Sequence, residues 1–464
     1  MSLPTTAPAD TGQPWWKLLN RYHWFVLTVA ALGWLFDCLD QQLFNLARVP
    51  AMKELLALPG TPANPGDVAK YGGYATSIFL IGWAVGGLFF GVLGDRIGRA
   101  KTMMITILAY SLFTGLSAFS KGWFDFAVYR FLTGLGVGGE FAVGVALVAE
   151  VMPDRARPYA LGLLQALSAV GNVTAALISM GFGRLEETGV IGVGGGWAAW
   201  RWMFVVGAVP ALLALIIRAR LKEPEKWVAA KAAKAAKKEK VSWFFEYGQI
   251  FGDPRWRKNA IVGLLLATTG VIGLWGIGFF VIDLQRSVFT KVFTEQGIDP
   301  AQIPGKVTFW AGVTSMVLNA GAFLGMIAFS WVTQRIGRRP AFAIAFVTGA
   351  LSTMMVFWYF SSISQLWMIF VMGFFLLALF GGYAIYFPEL FPTRLRSTGV
   401  SFCYNVGRLV AALGPAVLGL LTSEVFKDKP EPMRYAGVAM CSIFILGLLV
   451  LPFAPETKDQ PLPE

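Results

Sequence analysis

Charge is scarce in this chain: Asp, Glu, Lys and Arg make up 14% of its 464 residues, against about 25% in soluble proteins. That scarcity excludes an ordinary soluble fold. Hydrophobic residues make up 56%, and the mean hydropathy is +0.60. Cysteine is nearly missing. Cys38, Cys403 and Cys441 lie in apolar stretches without paired spacing, so neither a disulfide framework nor a metal site is expected. Histidine occurs once, as His23. A lone His invites a proton-sensor reading, but its place just ahead of the first apolar run fits an interfacial side chain. No GxxxxGK[ST] loop occurs, which excludes that ATPase motif. No nucleophile–base pair or metal cluster stands out, so no enzyme and no cofactor are expected. A cleavable signal peptide is not expected either.

Long apolar runs are what the chain has instead. A run of about 20 residues crosses a hydrocarbon core as a helix. Twelve such helices are expected, over 24–46, 72–93, 102–118, 125–149, 159–181, 200–219, 258–284, 307–333, 340–359, 366–387, 397–421 and 434–453. The expected fold class is an all-α membrane protein. The net charge of +12 collects in short links between the runs. That is the positive-inside pattern and not a nucleic-acid signal. Links carrying Arg96, Arg99 and Lys101, Arg155 and Arg157, Arg335, Arg338 and Arg339, and Arg394 and Arg396 all fall on one face. That face and both termini are expected to be cytoplasmic, in a plasma membrane such as the bacterial inner membrane.

Two of these links occur twice. GVLGDRIGR from Gly91 returns as WVTQRIGR from Trp331, and EVMPDRARPYALG from Glu150 returns as ELFPTRLRSTGVS from Glu389. Arg335 follows Arg96 by 239 positions, as Glu389 follows Glu150. Two halves in register imply a duplicated membrane bundle, with the substrate site between them near mid-membrane. The chain therefore divides into a polar tail over 1–22, expected to be disordered, a six-helix bundle over 23–219, a basic connector over 220–257, a second six-helix bundle over 258–453 and a tail over 454–464. The connector segment KWVAAKAAKAAKKEK from Lys226 has helical propensity. With Trp243, Phe244 and Phe245 it reads equally as an amphipathic helix on anionic lipid or as a solvated linker helix.

These motifs resemble the major facilitator superfamily. GVLGDRIGRAK is similar to its signature loop after the second helix, and RFLTGLGVGGE from Arg130 to its fourth-helix motif. LKEPEKW from Leu221 and PETK from Pro455 are similar to the related sugar-porter pattern. FDCLD in the first helix, GGEF in the fourth and YNVGR followed by Gly414–Pro415 in the eleventh resemble organic-acid/proton symporters of the metabolite, aromatic-acid and sialate or lactate branches. The helix-seven QQ-x-S-G pattern of sugar porters is absent. Gln334 stands where Asp95 stands in the first half, so a charge-relay lock should be stronger in the N-terminal half. The resemblance implies a secondary transporter: proton-coupled symport of a small organic anion, by alternating access and as a monomer. A sugar or sugar-acid carrier is the alternative, favoured by LKEPEKW and PETK and opposed by Arg408. A membrane sensor on the same scaffold would usually carry a long cytoplasmic extension, and both tails are short.

Ionisable residues within the apolar runs are functional candidates. Asp37 and Asp40 are three apart on one helix face, with Asp37 roughly 20 Å into its helix. Two carboxyls that close resist joint ionisation, which suits proton uptake; a fixed pair with a neighbouring Arg is the structural alternative. Glu140 is a further proton candidate on the helix that begins near Arg130. Arg408 lies roughly 17 Å into the eleventh run, and its guanidinium matches a carboxylate in bidentate geometry. The resemblance associates its Gly-Arg with anion binding; a resting pair with Asp37, Asp40 or Asp283 is the alternative. Tyr404, Asn405, Gln165, Asn172, Asn319, Tyr383 and Trp275 are polar or aromatic candidates for the substrate pocket, each with helix packing as its plainer role. Asp283, beside Arg286, reads as an interfacial pair. Asp95, Arg96, Arg99, Arg130, Glu150, Arg155, Arg157, Glu389 and Arg394 read as gating charges.

Overall fold

The computed structural model describes residues 14–153, 156–192, 196–212, 221, 223, 245–392, 395–458, 460 and 463. Residues 1–13 of the expected tail and most of the basic connector lie outside them.

Most of the expected apolar runs fall inside longer helices. α1 is Arg21–Leu55, α2 Pro65–Ile97, α3 Arg99–Ser117, α4 Trp123–Val151 and α5 Arg157–Glu187. α6 is described as a helix over Ala199–Val206, and residues 213–219 of the sixth expected run lie outside the described residues. A short helix, Phe245–Gly252, leads to α7. α7 runs Pro254–Glu295 through a wide π turn at Ile272–Ile277 and a tighter 3-10 turn at Gly278–Phe280. α8 is Ile303–Ile336, α9 Arg338–Tyr359 and α10 Leu366–Glu389. α11 comprises Arg396–Ala411 and Leu413–Leu420, and α12 comprises Pro432–Met440 and Ile443–Val450. Among the described residues, α1, α2 and α7 to α12 are the eight helices long and apolar enough to cross a membrane.

Helices outrun the apolar stretches because polar residues satisfy the free N–H groups at their starts. At α1, Asn20 Oδ1 accepts the His23 N–H at 2.8 Å and His23 Nδ1 accepts the Asn20 N–H at 3.3 Å. The lone His thus forms half of a helix cap. Asn64 does the same work at α2 and Asp253 at α7, each with a 2.8 Å bond.

Packing repeats after six helices. α2 and α3 pack on α4, and α1 packs on α5; α8 and α9 pack on α10, and α7 packs on α11. Between the halves α2 meets α11, and α5 meets α8. This is one pair of positions exchanged, as expected of a duplicated chain. Lipid gives helices no hydrophobic reason to associate, so small residues that permit close backbone approach supply the contact. A Cβ on Gly86 would stand 2.1 Å from the Leu135 carbonyl oxygen, and in the second half a Cβ on Gly325 would stand 1.9 Å from that of Phe374.

Candidate functional site

Arg408, on α11, lies at the junction of the halves. Its guanidinium lies 4.3 Å from the Trp83 ring centroid of α2 and 5.7 Å from that of Tyr404. Its Nη1 donates to Asn405 Oδ1 at 3.1 Å. No Asp or Glu among the described residues forms an ion pair with it. The α7 π turn brings Trp275 to the same place, 5.6 Å from Trp83 and 6.0 Å from Phe79 between ring centroids. Gly87 leaves room for Asn405, whose Oδ1 would lie 3.0 Å from a Cβ there. Arg408, Asn405, Tyr404 and Trp275 are therefore brought together, with Trp83 and Phe79 as partners that hydropathy could not select. Chemically this is a cation flanked by flat apolar rings, suited to a carboxylate on a flat body.

The acids separate into two groups. Asp40 forms a buried ion pair with Arg130 at 3.7 Å and accepts a hydrogen bond from the Thr114 hydroxyl. Arg130 Nη2 is also held by Ser117 Oγ at 2.7 Å and Thr133 Oγ1 at 3.0 Å. Asp37, three residues earlier, faces Glu140 with the Tyr110 hydroxyl beside it. Both carboxyls are buried, and among the described residues neither has a hydrogen bond of ordinary geometry. Glu140 reaches α1 because Gly33 is there: a Cβ on Gly33 would stand 2.1 Å from Glu140 Oε1. The structure thus pairs Asp37 with Glu140 across helices, rather than with Asp40 along one helix.

Other expected pocket residues join the halves or bind within one. Asn172 Nδ2 donates to Asn319 Oδ1 at 2.8 Å, from α5 to α8. The Tyr383 hydroxyl donates to the Leu266 carbonyl at 2.6 Å, and its ring stacks on Phe387, so it lies within the second half. Further contacts between the halves run from Gln42 Nε2 to Ser315 Oγ (2.7 Å), Ser179 Oγ to the Thr308 carbonyl (3.2 Å) and the Ala416 N–H to Ser77 Oγ (3.1 Å). Asp283 pairs with Arg48 of α1, not with its neighbour Arg286. All described hydrogen bonds between the halves lie from mid-helix toward the end away from the repeated loops.

At the loop end, Gly98 has φ +118° and Gly337 φ +96°, a region that disfavours side chains. An acid docks beside each. Glu223 accepts the Ala100 and Lys101 N–H groups at 3.2 Å each, capping α3. Glu456 accepts the Arg338 and Arg339 N–H groups at 2.8 and 3.0 Å, capping α9. Burial acts to raise the Glu456 pKa, but four backbone N–H donors outweigh it and hold the carboxyl below the usual range. Arg338 forks onto Glu389 with bonds of 3.1 and 2.9 Å, and the Thr457 hydroxyl joins Glu389 at 2.6 Å. In the second half Arg338, Glu389 and Thr457 are thus joined in one network, although Gln334 stands at the position of Asp95. Arg99 begins α3 at the equivalent first-half position. The side chains of Asp95, Arg96, Glu150, Arg157 and Gln165, and all of Arg155 and Arg394, lie outside the described residues.

Arg48 and Tyr110 escaped the sequence reading. Arg48 stands two positions beyond the first apolar run as drawn, yet it is fully buried. Its distance of eight residues from Asp40, two helical turns, was the available signal.

A family model described as Major Facilitator Superfamily matches residues 30–415 and 277–464. The chain is 30% identical to the cis,cis-muconate transport protein of Acinetobacter baylyi, over 84% of this chain and 86% of that one. It is 27% identical to a niacin transporter of the same organism, over 86% and 87%. Its fold is similar to that of a solved D-xylose-proton symporter, with a TM-score of 0.70 at 17% identity, over 94% of this chain and 99% of that one.

Proposed function

The chain belongs to the Major Facilitator Superfamily, and from that premise we propose that this multi-pass membrane transporter carries a small, flat organic carboxylate together with protons. Arg408 carries the reading. It is a cation at the junction of the halves, flanked by rings from both, with no carboxylate partner among the described residues. A substrate carboxylate supplies the missing anion, and Trp83 and Trp275 offer faces to an unsaturated or aromatic body. Asp37 and Glu140 carry the proton. Two buried carboxyls facing each other without a cation repel when both are charged, and Arg130 is already engaged by Asp40. The relatives named for muconate and niacin transport both concern unsaturated acids, which supports this class.

The working units are two six-helix halves, 23–219 and 258–453, joined by a basic connector over 220–257. Both termini and the repeated loops face the cytoplasm, so the end joined by hydrogen bonds between the halves is the outer one and the closed state there is inward-facing. Rocking of the halves about Arg408 then exposes it to either side. The test is a thermal-shift panel at two pH values with benzoate, cis,cis-muconate, nicotinate, sialate and xylose. A bound ligand raises the melting temperature with occupancy. Acids should stabilise the protein, more so at the lower pH. Stabilisation by xylose and by none of the acids would overturn the reading.

A further inference from the structure

The end of the molecule away from the repeated loops is held shut by two kinds of contact. One is close helix packing: a Cβ on Gly183 of α5 would stand 2.5 Å from the Phe309 nitrogen of α8, and one on Gly73 of α2 would stand 2.3 Å from the Pro415 carbonyl oxygen of α11. The other is a charged clasp between α1 and α7. Arg48 Nη2 and Nε donate to the two oxygens of Asp283 at 2.9 and 3.2 Å. The Arg48 guanidinium lies 3.7 Å from the Phe280 ring centroid, and its Nη1 donates to Thr76 Oγ1 at 3.2 Å. Both partners are almost without solvent exposure, at 0% and 5%. Lys70 and Glu424 also join the halves at 2.8 Å, but they are exposed, and such pairs contribute little.

A second point of the clasp is made by a proline. Pro50 lies inside α1 and has no N–H, so the carbonyl four residues earlier loses its helical donor. That carbonyl belongs to Leu46. Arg286 of α7 donates to it at 2.7 Å, and also to Thr308 Oγ1 at 3.2 Å. A membrane interior leaves few other donors for a freed carbonyl. The sequence of one half thus creates an acceptor that an arginine of the other half fills.

We infer that Arg48, Asp283, Arg286 and the Leu46 carbonyl freed by Pro50 form a two-point clasp between the halves, and that release of this clasp, rather than loosening of the glycine packing, opens the end away from the repeated loops. The clasp is fit for this role because its bonds are strong where buried and replaceable where wet. Opening admits water to both charges and to the freed carbonyl, so neither state leaves them stranded. Glycine packing has no such substitute and changes gradually with distance.

The inference is independent of which substrate the protein carries, and its test needs none. Spin labels are placed at Leu58→Cys and Gln296→Cys, exposed positions beyond the ends of α1 and α7; the native cysteines are buried. Distances are measured on the full chain in nanodiscs. Asp283→Asn and, separately, Arg286→Gln should each move the open-to-closed ratio about tenfold or more toward open. Pro50→Ala, which returns a helical donor to Leu46, should move it the same way by less. The exchanged pair Arg48→Asp with Asp283→Arg should restore part of the closed population, which a merely structural loss would not. Unchanged distances in both Asp283→Asn and Arg286→Gln would overturn the clasp and leave the packing as the lock. A variant that elutes as aggregate is replaced by Arg48→Lys, which keeps the charge and loses the fork. It should open the end partially, and an unchanged distance there counts against the clasp equally.

Discussion

At the residue scale, Arg408 and Gly33 make the sharpest demands. Arg408 holds its position through Asn405 and the Trp83 face. A lysine there keeps the charge but loses the planar fork and the ring stacking. Arg408→Lys should weaken binding of a carboxylate ligand by about tenfold to a hundredfold, the range for hydrogen bonds to charged groups, and Arg408→Gln by more. Titration of each variant with the best ligand of the thermal-shift panel measures this; equal affinities would remove Arg408 from the site. Gly33 is defined by what touches it. A methyl group there meets Glu140 in a fully buried setting, so Gly33→Ala should destabilise the protein by about 1–3 kcal/mol through overpacking. The companion variant Gly33→Ala with Glu140→Ala should recover much of that loss. Chemical denaturation in mild detergent, comparing the single and double variants, checks it. Additive losses would mean that Glu140 does not occupy the space above Gly33.

At the scale of elements, helix ends at the two repeated loops are joined by acids that come from far away in the chain. Glu456 is the better defined of the two. It caps α9 from beyond α12, while Lys458 Nζ donates to the Arg335 carbonyl at 2.8 Å and Tyr386 donates to the Pro455 carbonyl at 2.6 Å. The segment after α12 therefore straps the ends of α8, α9 and α10 together. Because the folded carboxyl of Glu456 has a pKa below its ordinary value of about 4.3, the cap is fully present above that pH and is lost as pH falls through the lower, folded value. Glu456→Gln should thus cost about 1 kcal/mol at neutral pH, with the gap from the natural protein closing under strong acid. Melting curves from pH 7 downward measure the gap. A gap that is constant over the whole range would show that the charge of Glu456 adds nothing to the strap.

At the scale of the whole molecule, the proposed coupling relates Asp37–Glu140 in one half to Arg408 in the other. Asn at position 37 mimics a protonated acid. Asp37→Asn, like Glu140→Gln, should still exchange labelled for unlabelled ligand in proteoliposomes, since exchange moves no net proton. Both should fail to accumulate ligand when a pH difference is imposed. Asp40→Asn should behave differently, because it leaves Arg130 buried without its partner; loss of stability and of exchange together is expected there. Accumulation at the natural level in both Asp37→Asn and Glu140→Gln would sink coupling through this pair and favour a facilitative carrier.

Much of this was written in the linear chain. Apolar runs long enough to span a bilayer, basic links on one side and a motif repeated at a constant offset are local or periodic signals, and they determined helices, their order and the duplication. Arg408, Asp37, Asp40 and Glu140 were legible as charges where charge is expensive. The tertiary structure alone decided their partners. Asp37 meets Glu140 because Gly33 clears a path between α1 and α4, and Arg408 lies beside Trp83 because α2 and α11 touch across the halves. Arg48 lay outside the first apolar run as drawn, since hydropathy averages over a window and cannot see a guanidinium buried by a carboxylate 235 positions away. A repeat in sequence says that two halves are alike; which surfaces they press together, and which charges end up without a partner, depends on distances that no spacing along the chain contains.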